Sequence, residues 1–186
     1  SIPIVLISIF MAFLCGYLDD SINKGSKREA IAEAFAARDQ AFLESYDSLT
    51  GVNDRFGRNP IHIASISPEP YRRYNPIPIL LKKSVDINEP DFMGRTPLFY
   101  AVRTGNLKDV GFLIDNGADM SLADDYGHTP VHVAAIKTGI HNKKASDDFF
   151  AILKLLKEKG ADLTLKDYKG RTAHDCLKFF GKRELD

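Results

Sequence analysis

Apolar positions fall into two regimes along the chain. From Ile2 to Leu18 the run IPIVLISIFMAFLCGYL carries no charge and is stopped by Asp19-Asp20. No polar face interrupts it at a period of 3.6, so it does not read as one side of a globular helix. Beyond Asp20 the apolar residues come in short groups separated by polar turns. Ala30 to Leu49, AIAEAFAARDQAFLESYDSL, reads as a degenerate helix pair. From there to about residue 182, short apolar helices alternate with turns built on Asp and Gly.

The alternation is periodic. The motif D-x-x-G-x-[TN]-P occurs as DRFGRNP from Asp54, DFMGRTP from Asp91 and DDYGHTP from Asp124, and returns as DYKGRTA from Asp167. Gly57, Gly94, Gly127 and Gly170 stand 37, 33 and 43 residues apart. The middle spacing reads as the base period, with insertions of four and ten residues in its neighbours. Asp and Gly make a tight turn, with Gly free to take positive φ. Thr or Asn caps a helix by accepting an orphan backbone N–H, and Pro fits the first helical position. Asn59-Pro60, Thr96-Pro97 and Thr129-Pro130 each predict a helix start, and Thr172-Ala173 a fourth without proline. The second half of the unit repeats too. VGFLIDNGADMSLAD (Val110 to Asp124) matches ILKLLKEKGADLTLKD (Ile152 to Asp167), and Gly117 and Gly160 suit left-handed helix ends. Ser84 stands where the first unit should have that glycine, which predicts a weaker cap.

Turn, helix, short loop and helix at about 33 residues, with a T-P-L-H-type start, resembles the ankyrin repeat. The best copy is GRTPLFYAVRTGNLKDVGFLIDNGAD, residues 94–119, where Phe99 replaces the histidine that His62 and His132 keep. The resemblance implies an all-α solenoid of about four helix-turn-helix units with β-turn fingers, and the uncharged run Ile2–Leu18 adds an N-terminal hydrophobic segment before it. Residues 1–18 are expected to be a signal peptide or membrane anchor. Residues 19–49 are a linker and degenerate capping helices. Residues 50–182 hold the repeats, at about 54–90, 91–123, 124–166 and 167–182.

Composition narrows the function. Lys+Arg and Asp+Glu are both 25, so no net charge points to nucleic acid. The two cysteines, Cys15 and Cys176, support neither a disulfide framework nor a Cys-rich zinc site. The apolar N-terminal run is at the short limit for spanning a bilayer, where about 20 residues is typical. It fits a cleaved secretory signal with a core at Ile4 to Leu14, or an uncleaved anchor giving membrane association through Ile2 to Leu18. A lipoprotein signal at Cys15 fits less well, because bulky Phe13 and Leu14 precede it. These readings place the repeats in an extracytoplasmic compartment such as a bacterial periplasm, or anchored facing it.

No phosphate loop, nucleophile elbow or HExxH motif is present. The resemblance implies that His62 and His132 buttress their turns rather than bind metal. Contiguous His174, Asp175 and Cys176 point apart on a helix and do not make a nucleophilic pair. No catalytic residue, metal ligand or cofactor is expected. The family grips partners with its turn tips and inner helix faces, so the candidates are the tips. Before the cap stand Arg58, Arg95, His128 and Arg171. After the motif Asp stand Arg55-Phe56, Phe92-Met93, Asp125-Tyr126 and Tyr168-Lys169. Stacking predicts a stripe of basic and aromatic groups, a composition typical of binding hot spots. The two insertions are the other individual feature. One lies within Ser65 to Ile79, with Tyr71, Arg72, Arg73 and Tyr74 at its centre, and one within Thr138 to Phe150. Both are expected as loops on the edge opposite the tips.

The expected function is a non-catalytic adaptor or scaffold that binds another protein, displaying a rigid concave surface so that little ordering entropy is lost. Two alternatives remain open: a structural subunit of a membrane-embedded envelope complex, and an inhibitor or immunity protein for a secreted toxin or hydrolase.

Overall fold

The computed structural model describes residues 40–45, 48–66, 75–139 and 142–181. The run Ile2–Leu18, most of the stretch 19–49, and Tyr71, Arg72, Arg73 and Tyr74 lie outside the described residues. All regular structure among the described residues is helical. None of the described helices is long and apolar enough to cross a membrane. The chain divides into two compact units, Ser1–Asp86 and Ile87–Asp186.

The first unit contains α1 (Gln40–Glu44), α2 (Pro60–Ile66) and α3 (Ile77–Lys82). Leu43, Leu49, Ile61, Ile77 and Leu80 are fully buried and form its core. The Leu49 N–H donates to the Lys83 carbonyl at 3.1 Å, and the Thr50 hydroxyl to that of Ser84 at 3.0 Å. Ser84 takes φ 59, the left-handed conformation expected of a glycine there. The weak cap predicted from sequence therefore keeps its geometry at the cost of strain. Ser65 and Ile66 close α2, and Ile77–Ile79 open α3, so both ends of the first insertion are helical.

The second unit contains α4 (Pro97–Thr104), α5 (Leu107–Asp115), α6 (Pro130–Lys137), α7 (Lys143–Glu158) and α8 (Ala173–Cys176), the last continuing into a π-helical turn, Leu177–Gly181. The proline rule holds at both Thr-Pro starts: Thr96 and Thr129 are extended caps, and Pro97 and Pro130 follow them. Leu98 to Val102 of α4 and Val131 to Ala135 of α6 are all buried. A helix buried on nearly every side is an interior one. By contrast α5 buries only Val110 and Leu113, and its other residues are partly or fully exposed.

The second insertion departs from the loop expected of it. The connection α6–α7 is only three residues longer than α4–α5, and α7 is seven residues longer than α5. Most of the ten extra residues therefore lengthen a helix. Asn142 caps it, its side chain accepting from the Ala145 N–H at 3.2 Å. Phe149 turns inward and is buried, packing against Gly105, where an added Cβ would meet the ring at 3.4 Å. The Ser146 hydroxyl donates to the Thr138 carbonyl at 2.6 Å. Those anchors make helix the favoured state of a segment whose charged face, Lys143, Lys144, Asp147 and Asp148, is exposed.

The last unit differs from the interior ones. His174, Asp175 and Lys178 are exposed. They occupy the places of Val131, His132 and Ala135, and of Leu98, Phe99 and Val102, all buried in the units before. A terminal unit with a polar outer face is the arrangement a repeat stack needs in water.

Candidate functional site

Each D-x-x-G motif folds into the same finger. In the first, Asp54 Oδ1 accepts from the N–H groups of Phe56 (2.8 Å) and Arg58 (3.0 Å). The Asp54 N–H donates to the Arg58 carbonyl at 2.9 Å, and the Gly57 N–H to the Asp54 carbonyl at 3.0 Å. The same four bonds recur at Asp91, Asp124 and Asp167, all between 2.8 and 3.0 Å. The aspartate is thus both the turn residue and a side-chain acceptor for two backbone donors.

The predicted basic column is largely engaged within these turns. Arg58 Nε donates to Asp54 Oδ2 at 2.8 Å and a second guanidinium nitrogen lies 2.6 Å away. Arg171 repeats this on Asp167 at 2.8 and 2.7 Å. Burial by itself would raise the Asp167 carboxyl. Hydrogen bonds from the Arg171 guanidinium and from the Arg171 and Lys169 N–H groups outweigh it and hold the carboxyl down at about 2. Asp54 is lowered against the same opposing burial effect and by the same kind of partners. In the second finger Tyr100 takes the arginine's place, its hydroxyl donating to Asp91 Oδ2 at 2.7 Å. Burial and that bond raise the Tyr100 phenol, and Arg95 bonds the same hydroxyl. Arg95 also lies 5.7 Å from the Phe99 ring centre. In the third finger His128 stands in the arginine's position, half-buried.

The aromatics behave differently. Phe92 is 77% exposed, Tyr126 57% and Tyr168 80%, with Met93 and Lys169 also exposed. Within the second unit their fingers are joined. The Asp125 N–H donates to the Met93 carbonyl at 3.0 Å and the Tyr168 N–H to the Tyr126 carbonyl at 3.1 Å. A Cβ on Gly127, whose φ is 76°, would meet the Tyr168 N and ring at 2.8 Å. That glycine is required for its backbone angle and again for the close approach of the next finger. The three fingers therefore carry Phe92, Met93, Tyr126 and Tyr168 as one apolar ridge. The first finger, in the other unit, presents Phe56, 47% exposed, with Arg55 and Arg58 each 4.8 Å from its ring centre.

The histidines expected to be structural are so. Nδ1 of His62 accepts from the Asn59 N–H at 3.1 Å, and Nδ1 of His132 from the Thr129 N–H at 3.3 Å. His132 Nε2, 3.0 Å from the Arg171 carbonyl, is then the donor that ties α6 to the following finger. Burial lowers the His132 imidazole against the pull of that carbonyl and of Asp167. Cys176 is buried, and burial raises its thiol. The Asp175 carboxylate beside it closes the helix cap on Thr172, accepting from its N–H at 2.9 Å and its hydroxyl at 2.8 Å.

Two features escape the motif reading. The Asn88 side chain bridges the Gly117 carbonyl (3.1 Å) and the Asp119 N–H (2.8 Å), a tie within the second unit with no motif around it. Phe179 is an exposed apolar residue, stacked edge-on against Phe180 at 4.8 Å.

Repeated fingers, proline-started interior helices and outer helices ending in G-A-D find a match among known families. The family described as "Ankyrin repeats (3 copies)" matches residues 29–124 and 79–167. The chain belongs to the ankyrin-repeat family. Ankyrin repeats mediate binding to other proteins and are typically non-catalytic, which fits a protein-binding module. An ankyrin repeat protein of Rickettsia bellii is 33% identical over 105 residues, 55% of this chain and 52% of its own length. One from Borreliella burgdorferi is 29% identical over 147 residues, 75% of this chain and 65% of its own. The inactive serine/threonine-protein kinase TEX14 of Bos taurus is 37% identical over 103 residues, which is 55% of this chain and 6% of the kinase. The chain thus spans less than two thirds of each of these ankyrin-containing relatives.

Proposed function

We propose that this ankyrin protein is a non-catalytic adaptor that grips one partner protein along the ridge of its second unit. The observation that carries the reading is the run of exposed aromatic and thioether side chains, Phe92, Met93, Tyr126 and Tyr168, on fingers bonded to one another. Large apolar side chains on rigid turns lose little entropy on contact and match the composition of binding hot spots. Arg58 and Arg171 brace their own turns, so the recognition is mainly apolar, with His128, Arg95 and Lys169 at the margin. The basic centre Tyr71 to Tyr74 is a second candidate contact, supported by its composition alone.

The proposed location is extracytoplasmic, at or beyond a bacterial membrane. Its support is the uncharged run Ile2–Leu18 and the bacterial source of two relatives.

The test is affinity capture with the wild-type chain and with the triple variant Phe92→Ser, Tyr126→Ser, Tyr168→Ser, reading the N-terminus of the recovered bait by mass spectrometry. A prey protein lost at least tenfold from the variant, whose helical circular dichroism is unchanged, is the expected result. Equal recovery on both baits rules out the ridge. A bait recovered intact from Ile2 and retained in membranes after high-salt washing rules out the soluble form and favours the anchored one.

A further inference from the structure

His128 occupies the one finger position where the other three copies carry arginine, Arg58, Arg95 and Arg171. Its surroundings differ from theirs. Nδ1 lies 3.6 Å from Oδ1 of its own turn aspartate, Asp124, and Nε2 lies 3.6 Å from Oδ2 of Asp167 in the next finger. Both carboxylates are nearly buried. At 3.6 Å neither contact is a hydrogen bond, and both are within ion-pair range once the ring carries a charge. We propose that protonation of His128 couples the third finger to the fourth, making the display of Tyr126 and Tyr168 sensitive to pH.

Neutral imidazole has one N–H and can donate to one carboxylate at most, whereas imidazolium donates from both nitrogens. Only the charged ring can bridge Asp124 and Asp167. Imidazole is also the side chain whose ordinary titration falls between pH 5 and 8. The other groups facing His128 set limits on the effect. Arg171 already pairs with Asp167 and leaves less charge there to neutralise. Asp124 has no guanidinium of its own among the contacts described, so His128 is the cation on that side. The Tyr126 ring lies 6.1 Å from the imidazole and the His132 ring 6.2 Å. His132 is buried and its charge is disfavoured. Arg95, on the preceding finger, is engaged with Tyr100.

The structure supplies its own control. The Tyr168 N–H bonds the Tyr126 carbonyl across fingers three and four, and the Asp125 N–H bonds the Met93 carbonyl across fingers two and three, where no histidine intervenes. Amide hydrogen exchange of the isolated protein, corrected for intrinsic rates, compares the two. Between pH 8 and pH 6 the protection of the Tyr168 amide should rise about three- to tenfold, the scale of one partly buried ion pair. Protection of the Asp125 amide should stay within about twofold over the same range. His128→Gln should abolish the change, and His128→Arg should give high protection at both pH values. A Tyr168 amide indifferent to pH in the wild type, or one that responds equally in His128→Gln, overturns the proposal. The coupling is independent of what the ridge binds. Only its consequence for partner affinity rests on the proposed function, so a failed capture experiment leaves the exchange result intact.

Discussion

At the scale of single residues, two turn aspartates, Asp54 and Asp167, make the stability of the fold depend on pH. The Asp167 carboxyl sits at about 2, although its burial acts in the opposite direction, because Arg171 and two backbone donors favour its charged form. In an unfolded chain an aspartate titrates near ~3.9. Between those values the unfolded state binds more protons than the folded one, so stability rises with pH there and is lost as pH falls from about 4 toward 2. Asp167→Asn should start about 1–2 kcal/mol less stable at pH 7, where the bonds to Arg171 are lost. It should then lose less than the wild type on acidification, as followed by thermal melts at pH 4, 3 and 2. A melting curve for the variant that falls as steeply as the wild type's would contradict this account. His132 acts at higher pH by the same sign rule. Its lowered imidazole means stability that is full above about 6.5 and declines as pH falls below it. Ser84, with φ 59, tests backbone strain. Ser84→Gly should raise stability by about 1 kcal/mol in urea titration, since glycine holds that angle without the Cβ clash.

At the scale of elements, α7 shows how two side chains select between loop and helix. The insertion carries a charge pattern compatible with either state. Phe149 against Gly105 and Ser146 on the Thr138 carbonyl resolve the ambiguity in favour of helix. Phe149→Ala should cost about 3 kcal/mol. It should also release residues 143–148 from the helix, visible as lost amide protection there with residues 152–156 retained. The outer helix α5 offers the opposite experiment. Gly111 lies inside it, and a Cβ there would meet only Leu155 Cδ2 at 3.8 Å, an ordinary contact. Gly111→Ala should therefore raise stability by about 0.5–1 kcal/mol, the usual difference between these residues in a helix interior. An unchanged or lower urea midpoint would mean the helix gives way to the methyl group at a cost the static contact does not reveal.

At the scale of the whole molecule, repeat stacks are held by nearest-neighbour contacts, so perturbations within the second unit should stay local. Thr172→Ala removes the cap on α8 and should cost about 1 kcal/mol. Exchange should accelerate in residues 173–181 and stay unchanged in α4 and α5 of the same unit. The formal charge of zero also belongs to this scale. With the guanidiniums of Arg58 and Arg171 turned onto carboxylates, the surface chemistry most distinctive of the chain is apolar. Partner binding through the ridge should therefore weaken less than threefold between about 50 and 300 mM salt, unlike a binder held by exposed charges.

The sequence by itself determined the unit and its turns. Asp accepting from its own loop, Gly at positive φ, and Thr or Asn followed by Pro act within a few residues, so their chemistry is legible locally; the structure repeats the Asp-Gly turn four times and the proline start three times. The pairing of Arg58 with Asp54 and of Arg171 with Asp167 also lies within one finger, four residues apart, and the spacing was there to be read. Other features depend on residues far along the chain. Whether the second insertion is loop or helix rests on Phe149 finding Gly105. The position of His128 between two carboxylates rests on a finger whose aspartate lies 39 residues further on. That Phe92, Tyr126 and Tyr168 sit at turn tips is legible in the motif, but the hydrogen bonds that join their fingers are not. Hydrogen bonds inside a turn are fixed by the order of residues, whereas burial and charge pairing between turns exist only once the units have stacked.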